Sequence, residues 1–204
     1  MSRLDKSRHT NVKDFVSDLR RIFGNCLRFN ALAGDSYRPV ARAIAKTSEE
    51  LMHLFIQSNS ATPLYPKLLY CWNKCLTIIE DALSLKSPKT QLAAIHFFLH
   101  PVPFFLNGTY PEGYLDVVTT PMDFGTIQSK LMSAEYQTVQ AFAQDCRLVI
   151  TNCKTYHTGR EESDFIMSQA KILEEFLFPR LEELESYDQK SKAASARQKS
   201  LNPP

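Results

Sequence analysis

Residues 101–121 limit the fold more than any other part of this chain. They hold four prolines (Pro101, Pro103, Pro111 and Pro121) and two glycines (Gly108 and Gly113). Each proline fixes its own φ and withdraws a backbone donor, so no single helix or strand spans this stretch. Yet it also carries Phe104, Phe105, Leu106, Tyr110, Tyr114, Val117 and Val118. Long loops in compact domains usually bind something, and one this apolar is unlike an idle connector. Helical periodicity flanks it on both sides. Before it, Leu68, Trp72, Cys75, Leu76, Ile79 and Leu83 share a helical face, predicting a helix over 64–83 that stops before Ser87-Pro88 and a shorter helical piece over 90–99. After it, Asp123 is placed to cap a helix running to about Met132, with Ile127 and Leu131 inward. Stripes at Phe142, Cys146, Val149, Ile150 and Cys153, and at Ile166, Ala170, Leu173, Leu177, Leu181 and Leu184, predict helices over 138–156 and 163–186.

Upstream, Phe15, Leu19, Ile22, Phe23 and Cys26 predict an amphipathic helix over 12–29. A second follows over 38–55, with Pro39 in its first turn and Leu51, Leu54 and Phe55 near its end. Residues 57–63, rich in Ser and Asn, read as a linker. The chain also repeats itself. Phe15-x-x-Asp18 and Asn25-Cys26-Leu27-Arg28-Phe29-Asn30 match Phe142-x-x-Asp145 and Asn152-Cys153-Lys154-Thr155-Tyr156-His157 at a constant offset. Ala45-Lys46-x-x-Glu49-Glu50-Leu51 likewise matches Ala170-Lys171-x-x-Glu174-Glu175-Phe176. The last two helices of one module therefore occur twice, and only the second occurrence has its first two helices and long loop.

With 204 residues, 44% of them apolar, the chain can bury one full core and part of a second. Six glycines and long runs of Leu, Ala, Glu and Lys favour an all-α fold. A formal net charge of +2 excludes bulk electrostatic coating of nucleic acid or membrane. Residues 1–11 have no apolar core, and the apolar stretch 92–106 is broken by His96, His100, Pro101 and Pro103, so neither a signal peptide nor a membrane span is expected. Five cysteines, an odd number, suggest reduced thiols. No phosphate loop, nucleophile elbow or metal-hydrolase helix is present, and the pairs Glu49-Glu50 and Glu174-Glu175 read as solvated faces; an enzyme is not expected. Cys71-x-x-x-Cys75 and His96-x-x-x-His100 have helical ligand spacing, but the gap between them is too long for a short finger, so neither metal nor cofactor is expected. Residues 187–204, basic and without periodicity, are expected to be a disordered tail and the only place for contact with nucleic acid.

Taken together, Pro101-Val102, Tyr114 seven residues before Pro121-Met122-Asp123, Asn152-Cys153-x-x-Tyr156 and Ala170-x-x-Leu173-Glu174 resemble the bromodomain family. The resemblance implies a left-handed four-helix bundle over 64–186, with a pocket for acetylated lysine between the long loop and the loop joining the last two helices. It also implies that residues 1–56 are the back half of a second copy, an added N-terminal hairpin. By resemblance, Phe98 forms the pocket floor, Val102 and Ile166 its walls, Tyr114 makes a water-mediated contact to the acetyl oxygen, and Tyr156 lines the cavity. His157 stands where the family usually has an asparagine that donates to the acetyl carbonyl. Other departures are His96-Phe97-Phe98 in place of the usual Trp-Pro-Phe, and extra length over about 84–95. In the half-copy the equivalents of Tyr156 and His157 are Phe29 and Asn30, expected to be non-functional because the rest of that pocket is missing.

The chemistry of such a pocket follows from burial. Acetylation turns an ammonium into an amide, which an apolar channel with a few polar groups accepts and whose cationic precursor it refuses. The implied role is a nuclear reader of acetylated histone tails or other acetylated proteins, working with chromatin complex subunits. The alternative is a pseudo-reader that scaffolds because His157 has replaced the asparagine. Phe104, Phe105 and Tyr110 could extend a peptide-binding rim, but loop aromatics more often pack back on their own domain, and that is the expectation here. The N-terminal hairpin, apolar at Phe15, Ile22, Phe23, Leu51, Leu54 and Phe55, is expected to dock on the complete module or to mediate dimerisation.

Overall fold

A computed structural model of the chain describes residues 69–87, 94–132, 135–160 and 163–201, with scattered positions between 15 and 51. Helix α1 is Leu69–Ser84; two 3-10 turns follow, Ala94–Phe98 and Val102–Phe105. Helix α2 is a single turn, Tyr114–Val117; α3 is Phe124–Met132, α4 is Val139–His157 and α5 is Asp164–Leu201. No β-strand occurs among the described residues, so the all-α class holds. The beginning expected for α1 over 64–68, the linker 57–63, and Phe29, Asn30, Leu54 and Phe55 lie outside the described residues.

Contacts divide the chain into two compact units, Met1–Asn73 with Gln128–Gln137, and Lys74–Ile127 with Thr138–Pro204. In the first, Phe15, Asp18, Leu19, residues 21–23, Asn25 and Cys26 are helical, and so are Val40, Ala43, Ile44, residues 46–48 and Leu51. Ile22 and Leu51 are exposed, while Phe15 and Phe23 are half-buried. Trp72 is buried and donates its indole N–H to the Leu131 carbonyl at 3.2 Å, which gives its one polar atom a partner.

In the second unit α4 packs on α5, and α5 packs on the turn Ala94–Phe98. Phe142, Cys146, Val149, Ile150 and Cys153 from α4 are buried together with Ala170, Leu173, Leu177, Leu181 and Leu184 from α5, the residues of the two predicted stripes except Ile166, which is half-buried. Both ends of α4 are closed locally. Thr138 accepts the Ala141 amide on its hydroxyl at 3.1 Å, an N-cap. At the other end Thr158 N–H reaches the Lys154 carbonyl at 2.9 Å and Gly159 follows at φ +76°, a left-handed exit that suits glycine. Two ion pairs bind α4 to α5: Arg147 to Glu185 by two hydrogen bonds at 3.0 and 2.7 Å, and Lys154 to Glu174 at 2.5 Å.

Helix α5 corrects the expectation of a disordered tail from 187, because its backbone stays helical to Leu201. Residues 187–201 lack periodicity, but they also lack Pro and Gly and are rich in Ala, Lys and Gln. Such residues extend a helix once a packed segment has nucleated it. Asp188 and Lys192 pair one turn apart within this extension. Pro179 lies inside α5 and withholds one donor; in that turn the Arg180 guanidinium donates to the Phe176 carbonyl at 2.8 Å.

Candidate functional site

The long loop is fastened at both ends to the helices beside it. At its start, the Leu99 carbonyl accepts the Gly125 amide at 3.0 Å. A Cβ on Gly125 would stand 2.5 Å from that carbonyl oxygen, so the close approach requires glycine. At its end Asp123 caps α3 as predicted, accepting the Thr126 amide at 2.8 Å and the Thr126 hydroxyl at 2.6 Å. Asn152 of α4 donates to the Thr120 carbonyl at 2.8 Å and pins the loop to the helix. Gly113 at φ +70° turns the chain into the short helix α2, which delivers Tyr114 inward to 5% exposure.

Between loop and helices lies a cavity of about 260 Å³. That is several times the ~30 Å³ share of one liquid water, and close to the lower end of ligand pockets at about 300 Å³. The six residues singled out in the sequence, Phe98, Val102, Tyr114, Tyr156, His157 and Ile166, all line it. Phe98 is buried at the end of the first 3-10 turn, Val102 opens the second, Tyr114 opens α2, Tyr156 and His157 end α4, and Ile166 lies in the first turn of α5.

The aromatic groups are mutually arranged. Tyr110 stacks on Tyr114 with centroids 5.1 Å apart, and Tyr114 meets Tyr156 at 5.0 Å, tilted by 59°. Arg160 covers the other side of Tyr156 at 4.1 Å and donates to the Tyr156 carbonyl at 2.6 Å. Phe97 and Phe165 meet edge to face at 5.2 Å.

The lining is electrically neutral wherever a pKa departs from normal. Burial, followed by the neighbouring Tyr110, Cys153, Asp123 and Tyr156, pushes the Tyr114 phenol up to about 12, so it remains a hydroxyl donor. Burial pushes the Cys153 thiol up to about 11. His157 is lowered, first by burial and then by the Arg160 guanidinium, which holds the imidazole neutral at neutral pH. Among the lining residues the carboxylate belongs to Asp123, whose oxygens are engaged by Thr126. His157 Nδ1 lies 3.1 Å from the Ser163 hydroxyl.

Sequence reasoning left several lining residues unassigned. Val149, Asn152 and Cys153 were read as the core stripe and a motif, yet with Tyr156 and His157 they follow the spacing i, i+3, i+4, i+7, i+8 along α4 into the cavity. That spacing was the available signal. Phe104 and Phe105 overturn the expectation that they pack back: both are exposed, at 65% and 49%. Phe105 lines the cavity, and Phe104 stacks on His100 at 4.2 Å. Tyr110 does pack on its own domain, through Tyr114. Among the described residues no cluster of three or more His, Cys, Asp or Glu is arranged to hold a metal ion, and no helix is long and apolar enough to cross a membrane.

Comparison with known proteins agrees with this architecture. The bromodomain family model matches residues 75–172. The chain is 33% identical over 139 residues to bromodomain-containing factor 2 of Saccharomyces cerevisiae, covering 68% of this chain and 20% of that protein. It is 30% identical over 110 residues to a bromodomain-containing protein of Dictyostelium discoideum, covering 54% of this chain and 6% of the other. It is 32% identical over 92 residues to the histone acetyltransferase GCN5 of Yarrowia lipolytica, covering 45% and 19%. The chain thus spans a fifth or less of the length of these relatives. Helix order, loop anchoring and sequence match lead to one conclusion: this chain carries a bromodomain, the family's domain lying at residues 75–172.

Proposed function

We propose that the cavity reads Nε-acetyl-lysine on histone tails or other nuclear proteins, and that the chain is a non-enzymatic, chromatin-associated module. The observation that carries this reading is the mainly apolar hollow of about 260 Å³ ringed by Phe98, Val102, Tyr114, Tyr156, His157 and Ile166, whose lining carboxylate, Asp123, is engaged by Thr126. An ammonium entering it would lose its hydration without a free carboxylate to meet it, whereas an acetamide loses little if its carbonyl finds a donor. Tyr114 and His157 are the candidate donors, the first through water. On this reading the complete module covers 64–186, and residues 1–56 with Phe29 and Asn30 are a non-binding half-copy.

The test is to titrate one histone-tail peptide in acetylated and unmodified forms against the wild type and against His157→Asn. Saturable binding of only the acetylated form by the wild type is the expected result. A scaffold without acetyl binding is the second reading, favoured by the imidazole at 157; binding that arises only after His157→Asn would establish it.

A further inference from the structure

His157 ends α4 and Ser163 precedes α5, and the two are joined by the 3.1 Å contact between Nδ1 and the hydroxyl oxygen. Two arrangements satisfy that distance. In one, the Ser163 O–H donates to a bare Nδ1 and the ring proton is on Nε2. In the other, Nδ1–H donates to the Ser163 oxygen and Nε2 is bare. The first offers a ligand a donor and the second an acceptor, so the choice decides what the imidazole recognises.

Local geometry favours the first. The Ser163 carbonyl accepts the Met167 amide at 3.0 Å, which makes Ser163 the N-cap of α5. Among the described residues no first-turn amide donates to the Ser163 hydroxyl oxygen, and His157 Nδ1 is the acceptor within reach of its proton, so only the first arrangement leaves that buried O–H satisfied. Ser163 is 7% exposed, so water competes little for that proton. His157 lines the cavity and Ser163 does not, which turns the Nδ1 edge of the ring away from the hollow. Among the described residues Nε2 has no hydrogen-bond partner. Because burial and Arg160 disfavour the cation, a single nitrogen carries a proton near neutral pH.

We propose that Ser163 is a positioning residue that fixes His157 in the Nε2–H tautomer, so that the imidazole presents a donor to a carbonyl oxygen in the cavity. The ligand class that follows is an uncharged acyl-lysine. An ammonium would bring N–H groups against an N–H. The identity of the ligand rests on the reading proposed above, but the tautomer does not.

The experiment reads imidazole ¹⁵N shifts of the full chain without ligand, at a pH well above the ring's ordinary titration range, and then measures affinity for a short peptide bearing one Nε-acetyl-lysine. The wild type is expected to show a protonated Nε2 and a bare, hydrogen-bonded Nδ1. Ser163→Thr should keep that pattern and the affinity. Ser163→Ala should give mixed tautomers and about two- to tenfold weaker binding, the factor carried by one neutral hydrogen bond. Ser163→Asp keeps a residue type that suits an N-cap but its oxygens accept only, so it should move the proton to Nδ1 and weaken binding at least as much. This variant separates tautomer control from helix capping. A wild type protonated at Nδ1, or an unchanged tautomer in Ser163→Asp, overturns the proposal. A wild type with protonated Nε2 that binds no acetylated peptide supports the tautomer and refutes the reader; binding together with protonated Nδ1 does the reverse.

Discussion

The two walls of the cavity are built by opposite means. The helical wall, Val149, Asn152, Cys153, Tyr156 and His157, belongs to α4, a 19-residue helix closed at both ends and paired to α5 through Arg147–Glu185 and Lys154–Glu174. The loop wall contains only short helical turns. It is held by the Leu99–Gly125 contact, the Asn152–Thr120 bond and the Tyr110–Tyr114 stack, and leaves Phe104, Phe105 and Leu106 exposed. The helix sets the register of the polar groups, and the loop supplies apolar shape. Stability should therefore reside in the helical wall and tolerance in the loop wall, except where the loop is anchored.

The largest effect is expected behind the helical wall. Phe142 is fully buried, and Phe142→Ala should cost about 3–5 kcal/mol, read as a lower urea midpoint at unchanged slope. A loss under about 1 kcal/mol would put the core elsewhere. Next is the anchor. Gly125→Ala drives a methyl to 2.5 Å from a backbone oxygen that cannot swing away, so about 1–3 kcal/mol should be lost, with the loop amides gaining hydrogen exchange. A smaller effect follows from His157, whose folded value lies below the ordinary 6.5. As pH falls through the ordinary value, the unfolded chain takes up the proton first. The folded state is then progressively disfavoured until pH passes the folded value, and nothing is lost above the ordinary one. The melting temperature of the wild type should therefore fall more between about pH 7.5 and pH 5.5 than that of His157→Asn, and parallel curves would contradict this. Smallest of all, Phe104→Ala at the exposed lip should change stability by less than about 0.5 kcal/mol.

The same contrast explains what was legible in the sequence. Stripes at 3.6-residue spacing announced α4 and α5, because burial on one face writes itself as periodicity. The six candidate residues came from a motif resemblance anchored on those helices, and they converge on one hollow. The loop has no period, so whether Phe104 and Phe105 faced inward or outward depended on backbone turns that no pattern encodes. Periodicity also misjudged 187–201, where the helix continues through a sequence that carries no apolar stripe. The Ser163 contact to His157 joins two elements across a turn, and neither residue's neighbours in sequence hint at it.

The most direct test of the central claim is to map, by side-chain NMR of the full chain, where a peptide with one Nε-acetyl-lysine binds, with the same unmodified peptide as reference. The account predicts saturable shifts confined to the lining, led by Val102, Tyr114, Tyr156, His157 and Ile166, and none with the unmodified lysine. Equal shifts from both peptides, or shifts that bypass those residues, would contradict it.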